Sequence, residues 1–225
     1  TGAGTLALYG PTDWSTYIGY DSTIRLNEGR LEVRTSASTA LGDATIDFNG
    51  GTLVAISDTN TNSDGQGHAQ GGLDSDNNGS ALYLNKNIIS HGLISVLTDE
   101  DLQLGYSGEG SSTITLAADT TIQTKGSQLF LDGDIVGDHK LTLDALAVVV
   151  LNGNNTYTGG TAANKGLLAF GQASAIPNQQ PDYSGGLLQA GDLGYISIAF
   201  TPGHGLASIA AFLGYFDKTN TTGTI

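Results

Sequence analysis

Paired carboxylates are the side chains of this sequence best suited to acid-base chemistry. Asp132 and Asp134 lie two residues apart, so on a β-strand both would point to one face, close enough to share a proton. Asp43 and Asp47 flank a turn and a strand. Such pairs act as general acid and base in hydrolases, although Asp beside Gly is also ordinary turn chemistry. The candidate catalytic residues are therefore Asp132, Asp134, Asp43 and Asp47, with turn formation as the alternative role.

A second pattern suits a hard metal ion. Asp74, Asp76 and Asn78 alternate, and a glycine occupies the sixth position, which is how oxygen ligands are wrapped around Ca²⁺. The twelfth position holds Asn85 instead of the bidentate Glu of an EF-hand, so a strong EF-hand is excluded. Asp74, Asp76, Asn78 and Ser80 would then form a weak Ca²⁺ site, and the alternative is a solvated acidic loop. No motif requires a cofactor.

Composition excludes several classes of function. The 225 residues carry a formal net charge of −14, so the surface should repel nucleic-acid phosphates and anionic lipid headgroups. Cys is absent, which removes disulfides, thiolate metal sites and cysteine nucleophiles together. No Gly-x-Ser-x-Gly elbow and no phosphate-binding loop occurs. No apolar stretch is long enough to cross a membrane, and the absence of Met, also at position 1, indicates an internal or processed piece.

Short strands separated by turns are the predicted elements. The 33 glycines are about twice the ordinary share, and Arg30 to Arg34 shows strict alternation, with Leu31 and Val33 facing inward. Residues 57–79 lack apolar side chains and are predicted to form a loop outside the core. Helical spacing of apolar residues between Leu206 and Leu213 favours a short terminal helix, with an irregular strand as the alternative.

The stretch Leu151 to Thr161 carries a recognisable motif, Leu-Asn-Gly-Asn-Asn-Thr-Tyr-Thr-Gly-Gly-Thr. It resembles the passenger-associated repeat of bacterial autotransporter proteins, whose core reads roughly Leu-x-Gly-x-Asn-Thr-Tyr-x-Gly-Gly-Thr. Similar corners at Leu6 to Gly10 and at the Gly-Gly pairs of residues 50–51 and 185–186 form a degenerate repeat. We therefore interpret the Asn and Gly residues of the motif as corner-forming and Tyr157 as a packing side chain.

Together these patterns predict an all-β, right-handed parallel β-helix or solenoid, with repeats over residues 1–190, the loop insertion at about 57–79, and a less regular cap at 191–225 continuous with the same domain. The resemblance implies an exported passenger section at the bacterial surface or outer membrane, or secreted, that serves in adhesion or structural display. Its expected partners are host or environmental glycoproteins or glycans, without nucleic acid and without membrane insertion. The alternatives are a secreted carboxylate-dependent hydrolase, such as an acid-type peptidase or glycosidase acting on mucin-like glycoproteins, and a Ca²⁺-stabilised module.

Overall fold

Parallel β-strands make up most of the described structure. The computed structural model describes residues 4–8, 22–33, 41, 44–55, 81–98, 101–105, 112–126, 128–177, 188–199, 208–217 and 222. Its elements are β1 (Thr5–Leu8), β2 (Thr23–Leu26), β3 (Arg30–Val33), β4 (Thr45–Phe48), β5 (Thr52–Ala55), β6 (Ala81–Leu84), β7 (Ile88–Ser90), β8 (Leu93–Thr98), β9 (Asp101–Leu104), β10 (Thr113–Leu116), β11 (Thr120–Lys125), β12 (Leu129–Leu131), β13 (Asp134–Val136), β14 (Leu141–Leu151), β15 (Thr161–Phe170), β16 (Leu188–Ile198) and the helix α1 (Ile209–Gly214).

The strands form two parallel sheets that alternate along the chain. One has eleven strands, in the order β1-β3-β5-β8-β11-β14-β12-β9-β6, and β15 and β16 extend it from β14. The other has five strands, in the order β13-β10-β7-β4-β2. Most strands that are consecutive in the sequence belong to different sheets, so the chain passes back and forth between the two sheets.

The core lies between the sheets and follows the alternation of the strands. Buried and partly exposed residues alternate strictly in β8 and β10, as the two-residue period of a strand requires. Leu31 and Val33 are each 2% exposed, so the inward orientation predicted for them is confirmed. Ile46, Leu53 and Leu104 are fully buried in the same apolar cluster. Burial of such side chains stabilises the fold by about 1.5–3 kcal/mol each.

The predicted all-β, right-handed parallel β-helix is wrong. A solenoid of that kind adds one strand to each of several separate faces with every coil of about 20 to 25 residues. In the described structure, two rows of strands instead merge into the single curled sheet of eleven, because β14 pairs with β11 through its first residues and with β12 through its last. The architecture is therefore one of interleaved parallel sheets, one of them branched.

An irregular segment of β14 lies between the residues that pair with β11 and those that pair with β12. The register of β14 against β15 shifts between Leu143 and Val148, and Leu146 within this segment is 84% exposed. Gly166 of β15 has φ +78°, and a side chain there would collide with the carbonyl oxygens of Ala145 and Ala147. The segment from Asp144 to Val148 contains no Gly, Pro or Asn, and it belongs to one continuous strand, β14. Gly, Pro and Asn indicate a turn in a sequence, and their absence here means that the sequence gives no signal of the irregularity.

The helix α1 covers the last strands. Ser208 caps its first turn by accepting a hydrogen bond from the Ala211 N–H at 3.1 Å. Phe212 packs edge-on against Phe170 and Phe216, with ring centroids 6.4 and 5.5 Å away. The short terminal helix predicted from apolar spacing is therefore confirmed, over Ile209–Gly214.

Candidate functional site

A buried carboxylate with two basic neighbours stands out on the five-stranded sheet. Arg25 of β2 and Asp47 of β4 are directly opposite in the ladder, and Arg25 Nε donates a hydrogen bond to Asp47 Oδ2 at 2.7 Å. His91, which follows β7, places Nε2 at 3.3 Å from Asp47 Oδ1. Parallel pairing of β4 with both β2 and β7 thus assembles the three side chains, which we call the Asp47 cluster.

The members of the Asp47 cluster differ strongly in exposure. The Asp47 side chain is 1% exposed, whereas Arg25 is 61% exposed and His91 is 42% exposed. Within the described part of the chain, Asp47 Oδ1 has no hydrogen-bond partner. Burying a carboxylate without full hydrogen bonding is costly, and the adjacent guanidinium offsets part of that cost. The consequence is a firmly oriented Arg25 whose guanidinium is still accessible from solvent.

A cleft of about 360 Å³ adjoins the cluster through Arg25. It lies at the end of the two sheets where β1, β2 and β3 meet, and we call it the N-terminal cleft. Its walls combine apolar side chains with polar and charged ones, among them Thr5, Leu6, Arg25, Asn27, Glu28 and Arg30. Two of the eight basic residues of the chain, Arg25 and Arg30, therefore line one cavity in a protein whose net charge is −14. This arrangement suits binding of a small anion.

The predicted carboxylates Asp132 and Asp134 do not stand on one strand. Asp132 follows β12, and Asp134 opens β13. Each accepts a hydrogen bond from the part of the chain 20 residues on: Asn152 Nδ2 donates to Asp132 Oδ1, and the Asn154 N–H donates to Asp134 Oδ1, both at 2.7 Å. Both carboxylates therefore help to hold one strand-turn level against the next.

Burial makes the Asp132 carboxyl a weaker acid than an exposed aspartic acid. Its removal from water raises the pKa of the Asp132 carboxyl, and the hydrogen bond from Asn152 opposes that rise. A raised pKa is the property expected of a general acid. Asp132 therefore has one property of a general acid, and its catalytic role stays a prediction.

The Asn-Thr-Tyr motif forms a buried polar connection between three levels of the chain. Asn155, only 4% exposed, accepts from the Ile135 N–H at 2.9 Å and donates through Nδ2 to the Ala175 carbonyl at 2.7 Å. Tyr157 is fully buried and its hydroxyl bonds to Thr161. Burial also raises the pKa of the Tyr157 hydroxyl. The interpretation of Tyr157 as a packing side chain is confirmed, and the motif holds the fold together.

A further histidine and carboxylate contact lies on the surface. His139 Nδ1 is 3.4 Å from Asp119 Oδ1, and its Nε2 is 3.3 Å from Asp138 Oδ1. The backbone N–H of Lys140 donates to Asp119 at 2.9 Å and lowers the pKa of that carboxyl, with His139 adding to the effect. Asp119 and Asp138 are 77% and 86% exposed, so solvent screens these contacts.

The remaining predicted site residues lie outside the described ranges. These are the candidate catalytic residue Asp43, the candidate Ca²⁺ ligands Asp74, Asp76, Asn78 and Ser80, and the whole loop of residues 57–79. Among the residues that the structure does describe, no group of three or more His, Asp or Glu side chains could hold a metal ion. None of the helices in this part of the chain combines the length and the apolar character needed to cross a membrane.

Sequence reasoning included Asp47 but missed its partners. Arg25 and His91 are 22 residues before and 44 residues after Asp47 in the chain, and parallel pairing of β2, β4 and β7 brings them together. The three-residue strand β7 was not predicted, so nothing in the sequence linked His91 to the carboxylate. Alternation in β2, which puts Arg25 outward between Ile24 and Leu26, was the one available signal.

Comparison of the chain with protein-family models, with curated proteins and with solved structures gives no match. The features of this chain that bear on its function are therefore the Asp47 cluster, the N-terminal cleft and the Asn-Thr-Tyr motif.

Proposed function

We propose that this chain is a section of an exported bacterial surface protein, outer-membrane-associated or secreted, that serves in adhesion or structural display. The observation that carries the proposal is the N-terminal cleft, in which Arg25 is oriented by the buried Asp47. A preformed cavity with fixed charged groups is typical of a binding site. The partners would be host or environmental glycoproteins or glycans.

The resemblance to autotransporter passengers supports the export part of the proposal through its motif alone. Asn155 and Tyr157 are buried and make structural hydrogen bonds, which is the role expected of a motif that recurs for folding. The expectation of a β-helix forms no part of the proposal. With a charge of −14, nucleic acid and anionic membranes are poor partners.

Binding to immobilised glycoprotein tests the proposal. The chain is passed over mucin-coated and polymer-coated sensors, with the same mucin after enzymatic deglycosylation as the matched surface. We expect retention on intact mucin and reduced retention after deglycosylation. Equal signals on mucin and on the neutral polymer would contradict adhesion to glycoproteins. Labelling of intact cells of the source bacterium with an antibody against the chain tests the location.

The proposed binding function requires no cofactor. A weak Ca²⁺ contribution from Asp74, Asp76, Asn78 and Ser80 would raise the melting temperature in excess Ca²⁺ relative to a chelator, because a ligand that binds the folded state stabilises it. An unchanged melting temperature would exclude a Ca²⁺-stabilised module.

A secreted carboxylate-dependent hydrolase is the second candidate, favoured by the raised pKa of Asp132. Its test is turnover of mucin and casein between about pH 3 and 8, comparing the parent with Asp→Asn variants at positions 43, 47, 132 and 134. If the chain is an acid-type peptidase or glycosidase, at least one variant should lose most of the activity. Absence of turnover by the parent, or equal turnover by all variants, would exclude this candidate.

A further inference from the structure

We propose that the N-terminal cleft binds an acidic sugar, specifically a hexuronate, whose single carboxylate is held by Arg25 and Arg30. This inference rests on the proposed adhesive function and gives its ligand a chemical class. It starts from the charges that line the cleft, two arginines against Glu28, in a chain that is strongly acidic elsewhere.

Arg25 is prepared for a carboxylate by its buried neighbour. Asp47 binds the Nε proton at 2.7 Å and fixes the plane of the guanidinium, while 61% of the side chain stays exposed. A guanidinium has five N–H donors in a planar fork that matches the two oxygens of a carboxylate. Fixing this fork before binding reduces the entropy lost when a ligand arrives.

The other residues of the cleft suit a sugar ring better than a simple anion. Thr5, Asn27 and Glu28 offer hydroxyl, amide and carboxylate groups for ring hydroxyls, and Leu6 offers an apolar surface for the C–H face of the ring. Leu6 is 59% exposed, so this surface is accessible. Glu28 also repels a second negative charge, which favours a monoanion over a doubly charged phosphate.

The size of the cleft sets the length of the ligand. About 360 Å³ is at the lower end of the range of ligand sites, about 300–1,000 Å³. A cavity of this volume accommodates one or two sugar rings, so the ligand would be a terminal or single uronate residue of a larger glycan.

Titration with sodium glucuronate, followed by the chemical shifts of backbone amides in two-dimensional NMR, tests the inference. Glucose is the neutral counterpart, and N-acetylalanine is a monocarboxylate without a sugar ring. We expect glucuronate to bind with a dissociation constant on the order of 1 mM and to shift amides around Arg25 to Arg30. Glucose should bind at least about tenfold more weakly, because it lacks the charge-assisted hydrogen bonds.

Three variants locate the site. Arg25→Gln and Arg30→Gln should each weaken glucuronate binding by about tenfold or more. Lys125→Gln is the control: it removes an exposed positive charge from β11, away from the cleft, and should leave binding unchanged. Arg30→Gln keeps the test valid if Arg25→Gln disturbs the fold. Retained affinity in both arginine variants, or an equal loss in Lys125→Gln, would overturn the assignment.

The controls separate this inference from the broader proposal. Equal affinity for N-acetylalanine and glucuronate would overturn the sugar specificity. Absence of glucuronate binding up to about 50 mM, far above the expected constant, would overturn the cleft assignment. If mucin retention persisted in that case, adhesion would stand without the hexuronate site. If the chain bound glucuronate but was not retained on mucin, adhesion to mucin would be contradicted and the hexuronate site would stand.

Discussion

Two regions of this protein bury polar groups in opposite ways. In the motif region, both functional ends of the Asn155 amide bond to backbone groups of neighbouring levels, and the Tyr157 hydroxyl bonds to Thr161. In the Asp47 cluster, one carboxylate oxygen accepts a hydrogen bond from Arg25, while the other lies 3.3 Å from His91 Nε2 and makes no hydrogen bond among the described residues. The motif region pairs its buried polar groups, and the cluster leaves one of them incompletely paired.

The difference indicates which region serves stability and which serves function. A fully paired buried amide rigidifies the fold and specifies one register. A buried carboxylate that holds a solvent-accessible arginine instead prepares a charge for something outside the protein. If substitutions in the two regions changed stability alike, this comparison would fail.

The largest effect is expected at Tyr157. Replacing this fully buried side chain by Ala should lower the free energy of unfolding by about 3–5 kcal/mol, because it leaves a cavity in the core. Tyr157→Phe removes the hydroxyl alone and should cost about 1 kcal/mol. Urea denaturation measures both. A loss below that of Tyr157→Phe in the Ala variant would contradict a packing role.

Asn155→Ala should destabilise the fold by about 2–4 kcal/mol, because two buried backbone groups, the Ile135 N–H and the Ala175 carbonyl, lose their partner. Asn154→Ala is the matched control. Asn154 is exposed and contributes its backbone N–H, which Ala retains, so its variant should stay within about 0.5 kcal/mol. Equal losses in the two variants, measured by the same denaturation, would refute the three-level connection.

Asp47→Asn should change the free energy of unfolding by about 1 kcal/mol or less. The amide oxygen can still accept from Arg25 Nε, and the exposure of Arg25 screens the charge that is lost. A loss as large as that of Asn155→Ala would mean that the cluster is a stabilising element like the motif, and the comparison would fail. Glucuronate titration of the same variant then shows whether Arg25 keeps its orientation.

The smallest effect concerns pH. Because burial raises the Asp132 pKa above the ordinary value of 3.8, its contribution to stability is fully present below pH 3.8 and is lost as the pH rises through the folded-state pKa. The stability of Asp132→Asn relative to the parent should therefore increase as the pH rises above 3.8.

The contribution of Asp119 to stability should change with pH in the opposite direction. Its pKa is lowered from 3.8, so its contribution is present above that pH and is lost as the pH falls through the folded-state pKa. Asp119→Asn should therefore lose stability relative to the parent as the pH rises through the acidic range, by an amount that its exposure keeps small. Denaturation curves between about pH 3 and 7 compare the two variants, and parallel curves would contradict both assignments.

Much of the local structure could be predicted from particular residues. The alternation around Leu31 and Val33 predicted a strand with its inner face, and apolar spacing predicted the helix that contains Phe212. The three-residue strands β7 and β13 were missed because runs so short have little periodicity. The merging of two rows of strands was missed because the segment around Leu146 contains no Gly, Pro or Asn.

The sequence by itself determined the longer alternating strands with their inward faces, the acidic surface and the structural character of Tyr157, since these depend on side-chain type over a few neighbouring positions. The tertiary structure decided how the strands pair, and therefore that Arg25, Asp47 and His91 meet and that a cleft forms beside them. Parallel pairing joins residues 19 or more positions apart, and the offset depends on the length and shape of everything between them. Local preferences carry no information on that offset, so the candidate site became visible in the fold alone.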